Sequence, residues 1–232
     1  MMRTLLAAAL LLAIAAAPAA GQTDGARGGA ALPKVVLVGD SIRLSYAPLV
    51  ARKLEGAAVV VSAKANGGDS ASVLANLQQW VLREKPAVVH FNCGIHDTKK
   101  FTATGKFQVS PEAYEANLRQ IVARIRSETD ARIVFATTTP ILDARAASAR
   151  QGRDYALLAA SVEQYNAIAR KVMADLNVPI NDLHAALAQP TAPATADTLI
   201  GSDGVHLTDA GKELLGQQVA DVVKEQLGAK HE

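Results

Sequence analysis

Near the C-terminus, Ser202-Asp203-Gly204-Val205-His206-Leu207-Thr208 sets a carboxylate three residues before an imidazole, directly ahead of an amphipathic stretch. One loop can carry both side chains. An aspartate that accepts from imidazole Nδ1–H fixes the tautomer and leaves Nε2 free to take a proton from an alcohol. The matching alcohol is Ser41, in Val36-Leu37-Val38-Gly39-Asp40-Ser41-Ile42, where a serine follows a buried strand and its amide opens the next helix. Taken singly, Gly-Asp-Ser is equally a capped strand-ending turn, and Asp203 to His206 equally a surface loop before a helix capped by Thr208. Taken together, Ser41, His206 and Asp203 are a nucleophile, its base and the acid that orients the base.

Two further segments bring polar groups to strand ends. In Asn66-Gly67-Gly68-Asp69-Ser70, paired glycines let backbone approach a ligand closely, while Asp69 or Ser70 can cap the following helix. In His90-Phe91-Asn92-Cys93-Gly94-Ile95-His96-Asp97, the residues Asn92, Gly94, His96 and Asp97 reach the same edge, where polar groups seldom cluster without a use.

The elements that must position these residues are legible as short β-branched runs alternating with longer amphipathic stretches. Strands are expected at Val35 to Val38, Ala58 to Val61, Ala87 to Phe91, Ile133 to Thr137 and Val178 to Ile180. Helices are expected at Pro48 to Glu55, Ser72 to Glu84, Pro111 to Glu128, Tyr155 to Leu176 and Thr208 to Leu227. Continuously apolar strands need cover on both faces, so the fold class is α/β: a doubly wound, five-stranded parallel sheet in a three-layer sandwich. In such sheets ligands bind beyond the carboxyl ends of the strands, where all the segments above fall.

With its motifs in this order, the chain resembles the SGNH, or GDSL-type, hydrolase superfamily over nearly all of residues 33–228. Gly39-Asp40-Ser41 looks like the nucleophile block, Gly68-Asp69-Ser70 like the glycine block, and Asp203 to Thr208 like the block bearing the acid and base. The resemblance implies a flavodoxin-like sandwich, a Ser-His-Asp site, and hydrolysis of an acyl ester without metal or other cofactor. It also implies an oxyanion hole built from the Ser41 amide, the Gly68 amide and an asparagine in a GxND block. Here the string is Gly94-Ile95-His96-Asp97, so His96 stands at the asparagine position and Asn92 lies four residues earlier. Either His96 donates in place of the amide, or Asn92 does; if the strand geometry continued, the two would share a side and could bond each other. His96 is the preferred donor, and a third alternative gives it a substrate-binding role.

The N-terminus reads as a targeting segment. Met1, Met2 and Arg3 precede an apolar run ending in small residues and Pro18, so residues 1–20 are expected to be a signal peptide, followed by a flexible linker over 21–32. That predicts a secreted or periplasmic protein with no stable membrane insertion after cleavage. The single cysteine, Cys93, sits in an apolar run and is expected to be buried and inert. A formal net charge of +2 with no block of like charges does not point to nucleic acid, and 4% aromatic residues argue against a stacking platform. Expected partners are therefore small-molecule or glycan esters, with a short acyl group such as a sugar O-acetyl because no long apolar insertion forms a lid.

Two rival classes stand beside this reading. GIHD also resembles strings in metal-dependent phosphoesterases, but the first strand lacks Asp-x-His, and neither His90 nor His184 has ligand partners at metal spacing. A non-catalytic glycan-binding protein is the other. The segments Thr98 to Val109 and Leu142 to Arg153 are expected to overhang the site. Their Lys99, Lys100 and Arg145 are expected to be solvated surface charges rather than ligands for an anion.

Overall fold

A computed structural model describes residues 31–229. The expected signal peptide and nearly all of the expected linker lie outside the described residues. In β1 (Lys34–Val38), side chains alternate across the sheet: Val35 and Leu37 enter one apolar cluster, Val36 and Val38 the other. The strand must therefore be covered twice. Helices α1 (Ser41–Lys53) and α8 (Asp209–Gly228) supply one cover; α2 (Ser70–Trp80), α3 (Pro111–Glu128) and α5 (Ala159–Asp175) supply the other.

The remaining sheet strands are β2 (Val59–Ser62), β3 (Val88–Phe91), β5 (Arg132–Ala136) and β7 (Ile180–Asn181), all parallel, in the order β2-β1-β3-β5-β7. This is the expected five-stranded, doubly wound sandwich. From β1 the chain moves outward to β2, then crosses back to β3, and that reversal opens a crevice at the carboxyl ends of β1 and β3. Ser41 leaves one wall of it and His96 the other.

Boundaries differ from expectation where a cap or a pairing overrides periodicity. Helix α1 begins at Ser41 rather than Pro48 because the Asp40 carboxylate accepts from Ile42 N–H at 2.9 Å, and Pro48 is carried inside the helix. Tyr155 does not start a helix. It lies in β6 (Tyr155–Ala156), antiparallel to β4 (Lys100–Phe101), a two-stranded piece that periodicity did not reveal. Short helix α4 (Asp143–Ala149) fills a stretch expected to be loop, and α6 (Leu183–Ala188) and α7 (Ala196–Leu199) are helices that periodicity did not reveal. Among the described residues no helix is long and apolar enough to cross a membrane.

One core histidine makes the fold sensitive to acid. His90 on β3 is fully buried; Asn181 Nδ2 donates to its Nε2 at 3.1 Å, and Gln218 Nε2 of α8 donates to Asn181 Oδ1 at 2.7 Å. Its Nδ1 has no partner among the described residues, and burial pushes the imidazole down to about 4 from an ordinary 6.5. The unfolded chain therefore takes up a proton between pH 6.5 and 4 that the folded chain refuses, so His90's contribution is complete above 6.5 and lost on acidification. Urea unfolding at pH 7 and pH 4.5 should show His90→Gln losing about 2–3 kcal/mol less than the parent across that interval. Equal losses in the two proteins would remove His90 as the cause.

Candidate active site

The site is assembled at the reversal by a buried cation. Arg43, on the first turn of α1, is 2% exposed, and among the described residues no carboxylate lies within ion-pair distance of it. Its Nε and Nη2 donate to Gly39 O at 3.2 and 2.8 Å, its Nη1 to Ser62 Oγ at 2.7 Å and Ala63 O at 2.6 Å, and its Nη2 also to Ala65 O at 2.8 Å. One side chain thus ties the end of β1 to the loop leaving β2. The same loop makes a second contact, Gly67 N–H to Gly39 O at 3.0 Å, and a Cβ on residue 67 would stand 2.7 Å from that oxygen. Glycine is required there by space alone.

Asp40, Arg43 and the loop fix Ser41 at the N-terminus of α1. Its Oγ lies 2.9 Å from His206 Nε2, and among the described residues its N–H has no acceptor. His206 Nδ1 bonds Asp203 Oδ2, while Asp203 Oδ1 accepts from the amides of Val205 and His206 at 3.0 and 2.9 Å. Burial pushes the Asp203 carboxyl up, but the His206 side chain and the two amides outweigh it and bring the group down to about 2. It is ionised at neutral pH.

The loop carrying Asp203 and His206 is fastened from both ends. Ile200 and Leu207 form a β-bridge, and Gly201 N–H donates to His206 O at 2.7 Å. From above, Leu142 N–H donates to Gly204 O at 2.9 Å and Arg150 Nη1 to Asp203 O at 2.9 Å, so helix α4 acts as a buttress.

Of the expected oxyanion donors, the structure separates three situations. His96 is half-buried with no side-chain hydrogen bond among the described residues; burial pushes its imidazole down and Lys99 acts the same way, against Asp40 and Asp69. It is a neutral ring with a free N–H at pH 7. Asn92 is not free: its Nδ2 donates to Ala136 O at 2.7 Å and Thr138 Oγ1 at 3.5 Å, holding β3 to the end of β5. The pairing of Asn92 with His96 does not form either, because the chain turns at Gly94, whose φ is +155° and where a Cβ would meet Thr138 Oγ1 at 2.0 Å. Gly68 N–H donates to the exposed Asn66 Oδ1 at 2.9 Å, so that donor is occupied. Releasing it exchanges one exposed hydrogen bond, about 1 kcal/mol.

Several supporting groups carry no sequence signal because their partners lie far along the chain. Asp97 accepts from Ser70 N–H at 2.9 Å and from Ser70 Oγ, to which Asn117 Nδ2 donates at 2.9 Å; Gln108 Nε2 donates to Asp69. Burial pushes the Asp97 carboxyl up to about 7 despite those bonds. Arg43 could have been found: it is the one charge on the buried face formed by Ile42, Tyr46, Ala47 and Val50. Cys93 is fully buried, and burial pushes its thiol well up, as befits an inert group. Among the described residues no three His, Cys, Asp or Glu side chains are grouped to hold a metal ion.

Arg43→Lys should destabilise the protein by about 2–4 kcal/mol in urea unfolding, because an ammonium cannot span the Gly39, Ala63 and Ala65 carbonyls and leaves buried acceptors orphaned. A change under about 0.5 kcal/mol would show that the loop does not depend on the clamp.

Comparison with known proteins follows this geometry. The sequence pattern of the GDSL-like lipase/acylhydrolase family matches residues 23–214. A comparison with curated protein sequences returns no match. Among solved structures, a lipase/acylhydrolase from Enterococcus faecalis is 25% identical with a TM-score of 0.70, covering 87% of this chain and 100% of its own. Axe2, an acetylxylan esterase from Geobacillus stearothermophilus, is 20% identical with a TM-score of 0.67 over 86% of this chain and 96% of its own. The acetyl xylan esterase AlAXEase is 20% identical with a TM-score of 0.65 over 82% and 99%. The chain belongs to the GDSL-like lipase/acylhydrolase family and is a carboxylic ester hydrolase.

Proposed function

We propose that the protein is an exported serine esterase that removes a short acyl group, such as acetyl, from a carbohydrate. The observation that carries the mechanism is the hydrogen-bonded line from Ser41 Oγ through His206 to Asp203. Ser41 Oγ attacks the ester carbonyl as its proton passes to His206 Nε2, and Asp203 stabilises the imidazolium that results. The tetrahedral oxyanion is met by Ser41 N–H, by the His96 ring N–H and by Gly68 N–H once Asn66 swings aside. Collapse expels the alcohol, protonated by His206, and leaves Ser41 acylated. Water, deprotonated by His206, then attacks the acyl-enzyme and releases the acid.

The finer parts of the reading have separate support. A sugar carrier is favoured by the likeness in fold to two acetylxylan esterases. A short acyl group is favoured because the segments over the site are short and hydrogen-bonded rather than long and apolar. Export is favoured by the composition of residues 1–20.

With p-nitrophenyl acetate, Ser41→Ala and His206→Ala should each lower kcat by about a thousandfold or more, and a fluorophosphonate should label the parent at Ser41 but not the Ser41→Ala protein. Full activity in both variants would sink the assignment. His96→Ala should lower kcat about a hundredfold with little change in KM, and His96→Asn, which restores a donor, should recover part of the loss. If His96→Ala instead raises KM and spares kcat, the ring binds substrate in the ground state and is no oxyanion donor.

A further inference from the structure

Three basic residues of the overhanging segments, Lys99, Lys100 and Arg145, have different fates. Arg145 is spent on structure: it pairs with Asp197 at 2.9 Å and donates to Ile200 O at 2.9 Å. Lys100 lies 5.7 Å from the centroid of the Phe107 ring, and Phe107 packs edge-on against Tyr165. Lys99 is held elsewhere.

The backbone N–H of Lys99 donates to His96 O at 3.3 Å, which fixes the residue beside the proposed oxyanion donor. Its Nζ sits 5.2 Å from the centroid of the Tyr155 ring. Tyr155 in turn packs against the apolar cluster containing Ile95 and Val205, the neighbours of His96 and His206. The ammonium thus stands on the His96 side of the site, where its charge bears on that imidazole. Among the described residues it has no carboxylate within ion-pair distance and no hydrogen-bond acceptor. Nearby acids are already engaged: Asp69 by Ser72 N–H and Gln108, Asp203 by His206 and two amides, while Asp40 is 1% exposed. A half-buried cation ordered over a ring and left without an anion is a binding element waiting for one.

We infer that Lys99, backed by Tyr155, forms a subsite for a carboxylate on the carrier of the ester, so that the preferred substrates are acylated acidic saccharides. The inference rests on the esterase reading of the same site. Lys99 is a specificity residue here: it holds the carrier's charge at the rim while the acyl carbon meets Ser41.

The test compares acetylated oligogalacturonate with acetylated xylo-oligosaccharide of equal length. The parent should show kcat/KM at least tenfold higher on the anionic ester at low salt, with the ratio falling as sodium chloride is raised. Lys99→Met should bring the ratio to within about threefold of one, chiefly through KM, and Lys99→Arg should keep it. A parent ratio near one, or a ratio untouched by Lys99→Met, overturns the subsite. Titration of the Ser41→Ala protein with unacetylated oligogalacturonate separates the two proposals. Binding that depends on Lys99 without turnover by the parent sinks the esterase and leaves the anion site; turnover without Lys99-dependent preference does the reverse.

Discussion

The carboxyl edge of the sheet depends on a buried guanidinium that, among the described residues, has no carboxylate within ion-pair distance. Arg43 spends its donors on the carbonyl oxygens of Gly39, Ala63 and Ala65 and on the Ser62 hydroxyl, at a strand end where buried main-chain oxygens need partners. A salt bridge would have been a private arrangement between two side chains. Bonds to main-chain carbonyls instead fix the path of the backbone, and that path sets where the Ser41 amide and the Gly67-Gly68 loop lie. Lysine offers a point charge in place of a fork and could hold only part of this.

The site joins rigid and yielding parts. Asp40, Asp203 and Asp97 each accept from backbone amides, so their positions follow from the strands and helices that carry them. Gly68 N–H and the His96 ring are different: one is covered by an exposed amide side chain, and the other has no hydrogen-bond partner among the described residues. Donors of this kind cost little to recruit when charge develops on a substrate oxygen, which is where stabilisation raises turnover rather than mere affinity.

Much of this was legible in the sequence because local rules govern it. The alternation in Val35 to Val38 and the long periodic stretch from Pro111 to Glu128 announce a two-sided sheet and its cover, and α3 has those limits in the structure. Ser41 stands at a strand end that periodicity locates, and Asp203 and His206 stand just ahead of a helix that it also locates. What stayed hidden depends on distant partners. Nothing near Asn92 says that its amide will be taken by Ala136, 44 residues on, nor that Thr138 will force a glycine at position 94. Helix α1 was read seven residues short because a proline suggests a start, whereas the Asp40 cap decides it. The two-stranded piece formed by Lys100–Phe101 and Tyr155–Ala156 is too short for any period to appear.

The order of the parts along the chain has a consequence for synthesis. Ser41 and its clamp emerge early, whereas His206 arrives 165 residues later, on a loop followed by α8, which lies along α1 so closely that a Cβ on Gly216 would touch the Leu49 side chain at 2.9 Å. Until that loop is in place, the serine is an ordinary alcohol with no base beside it. On the proposed mechanism, a chain in which the loop of Asp203 and His206 is not yet fastened has no base for Ser41, and reactivity would report that this late segment is in place.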